Sequence, residues 1–202
     1  MWTRLSLTAL LTALSLAPSA GAQRQLGGIQ YSTALPMGYT KEFTDSFSWL
    51  GITLEGRRFV KESMSVGLML GVNTFHQNVT GTIDLENGAL TGAQYRNFNM
   101  FPMMLTLHLY GGSPRGRRFY IGTGVGAYYI HQLLDVGIYT LTSDDWHFGV
   151  APEAGFLLPF GGGTYGNISV RYHYPVAAGD YLGGGSKSPQ YWSFSIGVLS
   201  GR

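Results

Sequence analysis

Cysteine is absent from the 202 residues, which removes a disulfide framework, a thiolate metal site and a cysteine nucleophile together. Charge is scarce too. Lys, Arg, Asp and Glu make up 12% of the chain, where a soluble domain usually carries about 25%. The formal net charge is +2, so there is no basic footprint for nucleic acid and no nucleic-acid partner is expected. Beyond Gln23 no stretch approaches the ~18 consecutive apolar residues of a spanning helix, and no long stretch has helical periodicity. Signatures of chemistry are missing as well. None of His76, His108, His131, His147 and His173 stands in an H-E-x-x-H motif or at zinc-finger spacing, and no G-x-S-x-G occurs. Gly122-Thr123-Gly124-Val125-Gly126 has the wrong spacing for a dinucleotide loop, and no helix follows it. No cofactor, metal or catalytic centre is expected.

The chain does hold 30 glycines, many aromatics and a patterned N-terminus. Arg4, the apolar stretch Leu5–Leu16 and Ala20-Gly21-Ala22 before Gln23 read as a secretory signal peptide over 1–22. The remainder, 23–202, has the length of one domain.

Its dominant signal is alternation. Trp146, Phe148, Val150, Ala154, Phe156 and Leu158 share one parity, and His147, Gly149, Ala151, Glu153 and Gly155 the other. After Gly161-Gly162-Gly163 the pattern resumes, with Ile168, Val170, Tyr172 and Tyr174 against Asn167, Ser169, Arg171 and His173. Apolar rows tipped with Trp and Tyr, opposed by small and charged residues, suit strands that face lipid on one side and a polar lumen on the other.

Segments of this kind fall at about 25–35, 46–57, 63–75, 94–110, 117–131, 145–160, 165–176 and 190–200. This predicts an all-β fold, an eight-stranded antiparallel up-and-down transmembrane β-barrel, each strand long enough to cross an outer membrane. A Lys or Arg facing lipid at the midplane costs about 2–4 kcal/mol. None is found there; Arg117, at a strand end, is the one cation of outward parity in these segments. Short connections are expected at Arg57–Lys61, Gly111–Arg115 and Gly161–Gly163, and long ones at 36–45, 76–93, 132–144 and 177–189. The short side is then periplasmic. Within the second long connection, Val79–Leu85 and Ala89–Tyr95 flank Asn87-Gly88, a strong hairpin signal. A protruding hairpin around Asp84, Glu86, Asn87 and Gly88 is the expectation.

Taken together, the chain resembles the small outer-membrane barrels of the OmpA/OmpX type, most clearly at Ile121–Gly126 and Tyr191–Val198. The resemblance covers nearly all of 23–202. It implies a bacterial outer-membrane location, outer-membrane lipid as the surrounding partner, and a monomer. Many members end on an aromatic residue; this chain ends Leu199-Ser200-Gly201-Arg202.

Register gives one sharp expectation. Folding about the glycine turn with Phe160 opposite Thr164 sets Glu153 opposite Arg171 inside the lumen, where each charge needs a partner. With Glu55, His108 and His173, and with Trp49 also inward, these form a polar network that plugs the interior. Arg57, Arg58, Lys61, Arg115, Arg117 and Arg118 gather on the short-turn side, either against inner-leaflet phosphates or as solvated turn charges. The leading reading is a structural or interaction protein acting in membrane integrity or adhesion, with a protein partner at its outer loops. A narrow pore is the alternative. A rim enzyme using Asp144, Asp145 and His147, or His131 and Asp135, ranks below these, as does a soluble barrel holding an apolar ligand.

Overall fold

The computed structural model describes residues 24–85, 88–113, 116–136, 139–177 and 187–201. The expected signal peptide lies outside these residues, as do Glu86 and Asn87. The strands are β1 (Gln25–Met37), β2 (Leu50–Lys61), β3 (Met64–Leu85), β4 (Gly88–Gly112), β5 (Arg118–Val136), β6 (Tyr139–Gly161), β7 (Thr164–Pro175) and β8 (Pro189–Ser200). Each pairs antiparallel with the next, and β8 pairs with β1 from Gly27↔Ser200 to Met37↔Gln190. Closure satisfies the backbone without an edge, a necessity wherever no water can reach.

Alternation decides which side each residue meets. Along β4 and β6 the outward row carries Leu105, 62% exposed, and Phe148, 71% exposed, while Met104, Thr106, His108, Ala151 and Glu153 are buried. Similar rows on every strand make a continuous apolar belt. Soluble monomers rarely expose apolar patches beyond a few hundred Å², so this belt belongs in hydrocarbon. Tyr129, Trp146, Tyr172 and Trp192 mark its upper rim; Tyr129 packs tilted against Trp146 at 5.3 Å and Tyr172 against Trp192 at 4.8 Å. With the apolar parity outside and the charges within, the soluble ligand-binding barrel is rejected. No helix among the described residues is long and apolar enough to cross a membrane.

Several boundaries depart from expectation. The first long connection contains a single helical turn, α1 (Gly38–Phe43), which turns Tyr39 and Phe43 into the barrel mouth. β2 begins at Leu50 and runs on to Lys61, so the turn is at Glu62-Ser63 and Arg57 belongs to the strand. Arg58 is therefore a second outward cation, near the strand end where the interface makes it cheap. Trp49, expected inward, is 68% exposed: it precedes β2, meets Phe47 edge-to-face at 4.7 Å, and its carbonyl accepts a hydrogen bond from Tyr31. Residues 132–144, read as a loop, are mostly strand, because β5 reaches Val136 and β6 starts at Tyr139. In the β3–β4 hairpin Leu85 pairs with Gly88, so Gly88 is a strand residue and not part of the expected turn, while Asn87 lies outside the described residues.

Candidate functional site in the barrel interior

The interior is layered. At the periplasmic end Leu26, Phe59, Tyr110, Tyr120, Leu157, Tyr165 and Leu199 form an apolar layer. Toward the outer mouth, Met69, Phe75, Phe98, Met100, Met104, Tyr128, Ile130 and Tyr191 pack with Tyr39 and Phe43 of α1. Four charges lie between.

β6 pairs with β7 at Glu153↔Arg171, and Arg171 Nη2 donates to Glu153 Oε2 at 2.6 Å. The hairpin reaches this pairing by another route than the one expected. Thr164 pairs with Gly161 rather than Phe160, a bulge between Pro159 and Gly161 absorbs the extra residue, and the register resumes at Pro159↔Tyr165. Gly161, Gly162 and Gly163 all take positive φ (95°, 59° and 79°), which side chains rarely tolerate.

The second pair is Glu55 and Arg57 on β2. Arg57 Nε donates to Glu55 Oε1 at 2.9 Å and Nη2 to Oε2 at 3.0 Å, a bidentate contact two residues apart on one face. The pairs touch: Arg57 Nη2 lies 3.8 Å from Glu153 Oε1, and Arg171 Nη2 lies 3.8 Å from Glu55 Oε2. Further polar side chains bond to the carboxylates and to Arg57. Gln30 donates to Glu55 at 2.8 Å, Asn167 to Gln30 at 2.7 Å, and Arg57 to the Tyr120 hydroxyl at 3.0 Å. Tyr120 in turn stands 3.0 Å from Glu153 Oε1, and His108 Nε2 stands 3.1 Å from Glu153 Oε2. The charged side chains are at most 3% exposed. Each carboxylate thus meets a guanidinium, two acidic and two basic side chains in contact.

His173 lies inside as expected but in a neighbouring cluster. Its Nδ1 faces the Tyr128 hydroxyl and its Nε2 the Ser193 hydroxyl, both at 3.1 Å, with Tyr191 stacked on its ring at 4.2 Å. Arg57, read from the sequence as a turn charge, is central to the network. The parity Thr53, Glu55, Arg57, Phe59 carried that signal, but ending the strand at residue 57 hid it. Arg118 is also buried rather than solvated, donating to the Glu62 carbonyl.

Glu55, His108 and Glu153 bring ligand atoms within 4.8 Å of one another, a spacing that suits a metal ion. The same oxygens already accept from Arg57 and Arg171, and a cation there would abut both guanidiniums. The donor set does not fit a metal.

At the outer rim His131 Nδ1 is 2.6 Å from Asp144 Oδ1, and the Tyr129 hydroxyl donates to the same oxygen at 2.8 Å. These two contacts hold the Asp144 carboxyl below the usual carboxylate range, His131 contributing most. Asp135 is bonded instead by Thr140, and His147 is buried with Nδ1 on the Val176 carbonyl. The residues suggested for rim catalysis are thus dispersed. Asp84 and Gly88 lie on paired β3 and β4 backbone.

Among solved structures, Neisserial surface protein A superposes with a TM-score of 0.58 over 90% of this chain and 99% of its own, at 9% identity. The fold is that of the small outer-membrane β-barrels. Ail, the attachment invasion locus protein of Yersinia pestis, matches this barrel with a TM-score of 0.52, 10% identity, and coverage of 89% and 97%. Outer membrane protein W of E. coli gives 0.50, 18% identity, and coverage of 89% and 97%. No protein-family model and no curated protein matches the chain in sequence. The barrel architecture is therefore shared where the side chains are not.

Proposed function

We propose that this protein is a non-catalytic, closed barrel of the bacterial outer membrane, monomeric and plugged, that works through its outer rim as a structural or interaction protein. The supporting observation is the filled interior: four charges, at most 3% exposed, sandwiched between two apolar layers. Eight strands leave room for little beyond side chains. A narrow pore would require this layer to open, and opening exposes two ion pairs from a site where every carboxylate oxygen is bonded.

The rim supplies what the lumen does not. β4 and β5 stay paired up to Gln94↔Val136, seven residues past Tyr129, or roughly 20 Å of strand. With β3 and β6 they form a raised wall on one side of the mouth, backed by α1 through the Arg96 Nη1 bond to the Phe43 carbonyl at 2.9 Å. A wall of paired strands above the membrane offers a partner protein a preformed surface. Planar-bilayer recording of the refolded barrel tests the plug: the expected trace is indistinguishable from bare lipid, and a steady single-channel conductance overturns it.

A further inference from the structure

The cations near the short turns occupy one arc of the periplasmic rim. The Arg24 carbonyl accepts from Phe59 N–H, setting Arg24 beside the end of β2. Arg58 is on that same stretch with outward parity, opposite Gln25 on one side and Val66 on the other. Lys61 closes β2, and Arg118 at the start of β5 donates to the Glu62 carbonyl, with the exposed Arg117 just before it. The Arg24 and Arg118 guanidiniums turn inward over buried rings, Arg24 4.5 Å from Tyr165 and 5.9 Å from Phe59, and Arg118 5.3 Å from Phe59. Glu62 is the single acidic residue among these five cations in the described residues, and its carbonyl accepts from Arg118. Among the described residues, the opposite arc, Gly161–Thr164 with Ser200 and Gly201, has no charged side chain.

The position of this charge selects its partner. Lys61 and Arg117 are exposed, and each lies within two residues of an apolar side chain that faces lipid, Val60 at 48% and Phe119 at 56% exposure. Arg58 sits further up, on the outward face of β2, not on a turn projecting away from the belt. Cations interleaved with lipid-facing apolar residues meet the phosphodiester layer of a bilayer. A cell-wall polymer would instead reach turn tips.

We propose that this arc binds the phosphate of an anionic phospholipid in the inner leaflet, orienting the barrel toward such lipids on one side only. Arg58, Lys61 and Arg117 supply the charge, while Val60 and Phe119 flank the acyl chains. Attraction of this kind changes affinity roughly five-fold per cation near an anionic surface and weakens with salt.

Native mass spectrometry of the refolded barrel, released from vesicles of phosphatidylcholine mixed with phosphatidylglycerol, tests the site. The wild type is expected to retain phosphatidylglycerol in preference, and R58Q/K61Q/R117Q to bring retention to parity while heat-modifiable migration is unchanged. Equal retention of both lipids by the wild type overturns the proposal, as does an undiminished preference in the triple variant. Should the triple variant not fold, Lys61→Gln and Arg117→Gln, both exposed, are each expected to reduce the preference several-fold; no reduction overturns it. Co-sedimentation of the wild type with peptidoglycan, lost in the variant and without any lipid preference, would assign the arc to the cell wall instead. These outcomes are independent of conductance, so the plug and the lipid arc fail separately.

Discussion

A buried carboxylate is tolerable only where its partners are fixed, and Glu153 shows how many that takes. It meets Arg171 at 2.6 Å, His108 at 3.1 Å and Tyr120 at 3.0 Å. Removing one partner of a buried pair costs about 3–5 kcal/mol, because the charge left behind has no water to turn to. Glu153→Gln and Arg171→Gln should therefore each lower stability by about that much in urea titrations of the vesicle-folded barrel. The double variant should recover most of the loss, since Glu55 and Arg57 remain a balanced pair; additive losses would refute the coupling. At the outer rim the effect is gentler. Asp144 is held below its unfolded value by His131 first and Tyr129 second. Stability from that contact is present above the unfolded carboxylate pKa of about 3.9 and is lost as pH falls through the lower folded value. Carbon NMR should place the Asp144 midpoint below that of an unfolded peptide, and His131→Ala should raise it.

At the scale of strands, the inward glycines make room for particular rings. A Cβ on Gly155 would stand 2.6 Å from the Tyr120 Cζ and hydroxyl and 2.7 Å from the Ile168 carbonyl. Gly155→Val is thus expected to push Tyr120 off Glu153 and to cost about 1–3 kcal/mol through overpacking. Gly56, whose Cβ would have nothing within 4 Å, provides the contrast: Gly56→Ala should leave the urea midpoint within experimental error. Strand parity and the glycine turns were legible from the residues because period-two alternation is local. The bulge near Phe160 was not, since a bulge answers to the pairing of both strands. Nor was the true end of β2. Arg57 and Arg58 beside Lys61 look like a turn until the partner strand shows each with a register position.

For the whole molecule, the raised wall and the belt divide the work between solvents. The barrel closes below the wall through β1–β8 pairing, so the wall is an addition to a ring that is already complete. Deleting residues 80–92 should therefore leave folding intact, read as unchanged heat-modifiable migration on SDS gels. Surface binding by intact cells should be lost if the wall carries it; a deletion that abolishes folding would show the wall to be part of the barrel's own core.

Alternation with Trp and Tyr at strand ends, and the lack of any long apolar run, were enough by themselves to determine an eight-stranded barrel and the lipid-facing parity. Two inward residues, Glu153 and Arg171, could even be matched across a turn, because antiparallel register propagates from a short connection. Closure decided the rest. Bending the sheet into a ring brought Glu55 and Arg57 of β2 against Glu153 and Arg171 from the opposite wall, joining two local pairs into one cluster. It also sealed that cluster with apolar layers and gathered the cations near Glu62 on one arc. Such contacts depend on strand tilt and barrel radius, which no single segment encodes.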